Sequence, residues 1–117
     1  MQLKHRFQVK PLSANQMTGR MKTYKTAAYS DYQNEIRDEL MGIEWPFGTD
    51  PIQVTFIAGM TTRAADLDNI MKPLLDTYQY IFDDFNDNKV YKLIGTKEIA
   101  GKGNEFLEVS IERYEDE

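Results

Sequence analysis

Apolar and polar side chains alternate from the start of the chain, with Leu3, His5, Phe7 and Val9 set against Lys4, Arg6, Gln8 and Lys10. That is the period of a strand with one buried face. Pro11 to Arg20 is rich in turn formers and reads as a loop. From about Tyr24 to Met41 the period becomes four, with Ala28, Tyr32, Ile36 and Leu40 on one helical face and Gly42 as the stop. Trp45-Pro-Phe-Gly48 and Pro51 break the next stretch. Ile52, Val54, Phe56, Ala58 and Met60 then alternate as a second strand. Leu67, Ile70, Met71, Leu74, Leu75, Tyr78, Ile81 and Phe82 follow as one broad helical stripe. Proline is tolerated best in the first turn of a helix, so Pro73 puts the regular start near Ile70. Asp66 and Asp68 are then expected on an extended segment, pointing the same way. After the polar run 83–88, Val90 to Ile99 and the alternating Leu107, Val109 and Ile111 read as two more strands. The turn Gly101-Lys-Gly-Asn104 would join them as a hairpin.

The predicted order is β-α-β-α-β-β, an α+β (mixed α/β) fold in which two helices pack on a four-stranded mixed sheet. With 117 residues and no linker or repeat, one domain over 1–117 is expected. No apolar run approaches the roughly 20 residues that span a bilayer, and the N-terminus lacks the apolar core of a secretory signal. A cytoplasmic location, with no membrane partner, is the expectation. The chain has no cysteine and a single histidine, His5. Thiolate metal sites and a cysteine nucleophile are excluded, and chemistry falls to carboxylates, lysines, arginines and a metal ion.

The net charge of −5 hides an asymmetry. Residues 1–30 carry six Lys or Arg and no acid: Lys4, Arg6, Lys10, Arg20, Lys22 and Lys25. Asp66 to Asp87 carries six acids against the single base Lys72. Such density is costly unless a cation is present. Mg²⁺ takes oxygen ligands and is commonly held by one or two carboxylates with substrate phosphate, so Asp66 and Asp68 form a candidate pair. Each residue also has a plainer reading: Asp68 or Asn69 as a helix cap, Lys72 as a surface lysine paired with Asp68 or Asp76. Asp84-x-Asn86-x-Asn88 begins like a calcium loop, but Lys89 stands where that loop needs glycine.

The string Asp66-Leu-Asp-Asn-Ile-Met-Lys-Pro-Leu-Leu-Asp76, followed after ten positions by Asn86-Asp87-Asn-Lys-Val90 and then Lys97, resembles the RusA-like Holliday-junction resolvases. More loosely, Pro11 to Asn15 and Arg20 to Tyr24 do as well. The resemblance implies a Mg²⁺-dependent endonuclease, with Mn²⁺ an acceptable substitute, acting as a homodimer on four-way DNA junctions. It makes Asp66, Asp68 and Asp87 the metal-binding carboxylates and Lys72 the active-site lysine. The family's acidic pair is Asn86-Asp87 here, which leaves Asp83 or Asp84 as rivals for the third carboxylate. Ala64 and Ala65 stand where basic residues are usual, with Arg63 the nearest cation. In such an enzyme the ion lowers the pKa of a water and draws charge from the phosphate, while Lys72 faces the charge that develops as the bond breaks. Lys10, Arg20, Lys22, Lys25 and Arg63 are the candidate DNA contacts. The competing functions are a nuclease with looser branched-DNA preference and a non-catalytic DNA-structure-binding protein of the same fold.

Overall fold

A computed structural model describes residues 1–17, 25–64 and 66–115. The strands are β1 (Gln2–Phe7), β2 (Ile52–Met60), β3 (Val90–Ile99) and β4 (Phe106–Arg113), and the helices are α1 (Ala27–Leu40) and α2 (Leu67–Ile81). Single 3-10 turns lie at Ala14–Gln16 and Asp87–Lys89. The β-α-β-α-β-β order and the two-layer α+β arrangement are those expected from the hydrophobic pattern.

The sheet order is β1-β4-β2-β3, antiparallel except for the parallel β2–β3 pair. The expected hairpin is therefore not formed. Gly101 and Gly103 do turn the chain with positive φ, but the turn carries β4 past β2 to pair with both β1 and β2. On the way, the N–H groups of Ala100 and Gly101 donate to the Met60 carbonyl. Burial explains the choice. β4 offers Phe106, Leu107, Val109 and Ile111, all buried, and so takes an interior position. β3, with Lys92, Gly95, Thr96, Lys97 and Glu98, has little to bury and becomes an edge.

Val54, Phe56 and Ala58 of β2 and Leu107, Val109 and Ile111 of β4 face the helices and share one core with Ile36, Leu40, Ile70, Leu74 and Tyr78. Two helix expectations need correction. In α1 the buried face is Tyr29, Tyr32, Gln33, Ile36 and Leu40, while Ala28 is exposed. The larger tyrosine, not the alanine, has the area worth burying. In α2 the helix starts at Leu67, not near Ile70, and keeps Pro73 inside. Starting early lets Leu67 and Ile70 reach the core and puts Asp68 in the first turn, where the helix dipole favours negative charge. Pro73 itself is buried, which offsets part of the missing N–H.

The 42–51 connection is anchored by aromatic side chains. Trp45 packs against Phe47, Phe82 and Phe85 with ring centroids 5.1–5.3 Å apart, and its indole N–H donates to the Gly48 carbonyl. This cluster also holds the segment after α2, where Phe82 and Phe85 are buried beside the exposed aspartates.

Candidate active site

Asp66 is the N-cap residue of α2, with extended backbone (φ −89°, ψ 138°), yet its side chain makes no capping hydrogen bond. The plainer reading of an aspartate at that position is thus not the one it fulfils. Asp68 lies in the first turn, so the two are not neighbours on one extended segment as expected. They do flank the same helix N-terminus, where unpaired N–H groups and the dipole lower the cost of adjacent negative charge. Both are exposed, and among the described residues neither carboxylate has a hydrogen-bond or ion-pair partner.

Lys72 turns away from this pair. Its Nζ lies 3.1 Å from Asp76 Oδ2, an exposed i,i+4 contact worth a few tenths of a kcal/mol. Such a contact is weak enough to exchange for a phosphate.

Asp87 lies elsewhere. It opens the 3-10 turn before β3, whose first residue Val90 pairs with Ile52 at the start of β2, whereas Asp66 follows the end of β2. The Asp87 N–H is 3.4 Å from Gln79 Oε1, near the C-terminal end of α2. At about 1.5 Å per residue, the helical stretch from Asp68 to Gln79 spans roughly 16 Å. Carboxylates sharing one ion must each approach it within about 2.0–2.6 Å. Within one chain, Asp87 therefore does not join Asp66 and Asp68. Asp83 and Asp84 belong to the same far segment and do no better. Among the described residues no group of three or more His, Cys, Asp or Glu could hold a metal ion. Asn86, where the resemblance leads one to expect an acid, accepts the Asn88 N–H with its side-chain oxygen and caps the turn.

The cations are scattered. Arg63 is exposed in the connection leading to Asp66. Lys10 is exposed beyond β1, and Lys25 stands over the rings of Tyr29 and Tyr80, 5.2 Å from each centroid. Arg20 and Lys22 lie outside the described residues. His5, at 3.0 Å, pairs with Glu39 of α1 and has no link to the carboxylates.

The connection from Met60 to Leu67 contains no buried residue among those described, so polar tethers hold it. Thr61 Oγ1 donates to Glu105 Oε2 at 2.6 Å, and the Gly103 N–H donates to Glu105 Oε1 at 2.9 Å. The threonine hydroxyl, more than any other neighbour, lowers the Glu105 pKa. Lys97, from β3, donates to the Arg63 carbonyl at 2.8 Å. Sequence reasoning assigned no role to Thr61, Lys97 or Glu105. Lys97 does close the family-like string quoted above, and that was the available signal.

Scanned against models of protein families and against curated proteins, the chain matches none. The likeness to RusA-like resolvases therefore rests on the residues and spacing quoted above, chiefly Asp66 to Val90.

A cleft of about 730 Å³ lies at the opposite end of the sheet, lined by Gln53, Tyr91, Lys92, Glu112, Arg113 and Tyr114. It holds none of the candidate site residues. Its size reflects the uncovered sheet face.

Proposed function

We propose that the chain is a Mg²⁺-dependent endonuclease that nicks branched DNA, with four-way junctions as its substrate, and that it works as a homodimer. The observation that carries this reading is the unengaged carboxylate pair Asp66 and Asp68 at the N-terminus of α2. Two exposed acids with neither cap bond nor salt bridge leave their oxygens open to a cation, and two carboxylates with phosphate and waters suffice for Mg²⁺. When bound, the ion would supply charge neutralisation at the phosphate and a more acidic water. The chain's own part is to hold the ion through Asp66 and Asp68, and to bring Lys72 to the phosphate or leaving oxygen once it lets go of Asp76.

A homodimer would complete such a site. A third carboxylate from Asp87 reaches Asp66 and Asp68 only if it comes from a second copy. A two-fold axis perpendicular to α2 would make two such helices antiparallel and bring the Asp66 end of one against the Asp87 end of the other. β3 offers a place to pair: it is a ten-residue edge strand on which Tyr91, Ile94 and Ile99 are exposed.

The test is nicking of a labelled four-way junction and a matched linear duplex, with and without Mg²⁺, by wild type, Asp68→Asn, Asp87→Asn and the two variants co-expressed. The junction alone should be cut, each variant should be inactive, and the mixture should recover activity, because the mixed dimer keeps one site with both carboxylates. Cutting of junction and duplex alike would point to a nuclease of looser preference. Tight junction binding without cutting would point to a structure-binding protein.

A further inference from the structure

The six residues that link β2 to α2 decide where Asp66 and Asp68 stand, and little holds them. Thr62, Arg63, Ala64 and Asp66 are exposed, and Thr61 is half-buried. Among the described residues of the link, no apolar side chain anchors it before Leu67. The Ala64 N–H bond to Thr62 Oγ1, at 3.3 Å, is local and fixes only the shape of the turn. Position relative to the sheet comes from Thr61, bound to Glu105 where the link begins, and from Lys97, bound to the Arg63 carbonyl three residues before Asp66.

Lys97 is unusual for its place. In the parallel register it lies opposite Ala58, on the face of the sheet that carries Val54 and Phe56 into the core. An apolar residue would suit that face. A lysine there buries its stem and sends its ammonium past the edge of the core, and in this chain the ammonium reaches the backbone of the link.

We propose that Lys97 is a positioning residue for the carboxylate pair: it clamps the Arg63 carbonyl to β3 and thereby sets the approach of Asp66 and Asp68 to a divalent cation. This rests on the reading of those aspartates as metal ligands. Lys97 itself contacts the backbone at Arg63. It acts through the backbone, as outer partners of a metal site commonly do. Asp66 has no cap bond of its own, so its carboxylate inherits its place from the chain that precedes it.

Simple electrostatics and positioning predict opposite signs. If Lys97 were merely a nearby positive charge, its removal would strengthen cation binding, since a like charge is lost. If it positions the pair, removal weakens binding.

The experiment is titration of the full chain with Mn²⁺, followed by electron paramagnetic resonance, for wild type, Asp68→Asn, Lys97→Met and Lys97→Arg. Thermal unfolding of each is measured alongside. Methionine keeps the apolar stem and removes the donor, and arginine restores a cationic donor. Lys97→Met should bind Mn²⁺ about tenfold or more weakly with its melting temperature nearly unchanged, and Lys97→Arg should recover most of the affinity. Equal or tighter binding by Lys97→Met, or no rescue by arginine, would overturn the proposal. Wild type binding no more Mn²⁺ than Asp68→Asn would instead bring down the metal reading itself, and the clamp's role with it.

Discussion

Single residues in this fold are constrained most where the backbone leaves no room. Gly95 stands opposite Phe56 across the β2–β3 pair, and a Cβ built on it would come within 2.6 Å of Phe56 Cζ. Phe56 is buried in the core and has nowhere to retreat. Gly95→Ala should therefore cost about 1–3 kcal/mol, as overpacking does. A urea titration would report this as a lower midpoint at unchanged slope. An unshifted midpoint would show that Phe56 can turn aside. Asp66 and Asp68 are constrained in a different way: both are exposed, and among the described residues neither carboxylate has a hydrogen-bond or ion-pair partner.

At the scale of elements, the segment between α2 and β3 shows how acids are presented by apolar neighbours. Asp83, Asp84 and Asp87 are exposed, but Phe82 before them and Phe85 among them are buried against Trp45 and Tyr78. The aromatic pair fixes the loop, and the aspartates follow. Phe85→Ala, at a site only 2% exposed, should cost about 3–5 kcal/mol. The melting temperature should fall by on the order of 10–15 °C. Trp45 is the only tryptophan, so its fluorescence reads the same cluster directly. A change of 2 °C or less, counted as roughly half a kcal/mol or below, would mean that the loop is held by other contacts.

For the whole molecule, buried tyrosines between the two helices set the alkaline limit of stability. Burial raises the pKa of both Tyr32 and Tyr78 far above the usual value, and the Tyr32 hydroxyl has no hydrogen-bond partner among the described residues. In the unfolded chain these phenols ionise near pH 10, while in the fold they stay neutral well beyond it. Their contribution is therefore fully present below pH 10 and is withdrawn above it, by about 1.4 kcal/mol per pH unit for each tyrosine. Glu105 has the opposite sense: its lowered pKa favours the fold above the ordinary value of 4.5, and that advantage fades as pH falls through the folded value. Stability measured by urea unfolding should fall steeply above pH 10, and Tyr32→Phe should make the fall less steep while leaving the neutral-pH fold intact. An identical alkaline slope in the variant would show that Tyr32 ionises freely in the fold.

Periodicity alone determined the elements of this protein, because strand and helix faces repeat at periods that local chemistry imposes on any chain. Ile52 to Met60, Val90 to Ile99 and the stripe from Leu67 to Phe82 were legible in that way, and so was the run of acids from Asp66 to Asp87. Pairing was not legible. Gly101 to Asn104 looks the same whether it closes a hairpin or carries β4 across to lie between β1 and β2, and only the area that Phe106, Leu107, Val109 and Ile111 bury decides for the interior. Likewise, the resemblance to the resolvases made Asp66, Asp68 and Asp87 look like one site. The helix between them is a rod of about 22 Å, and it holds Asp87 at the far end from the other two. Distance through space is a property of the packed elements, and spacing along the chain does not contain it.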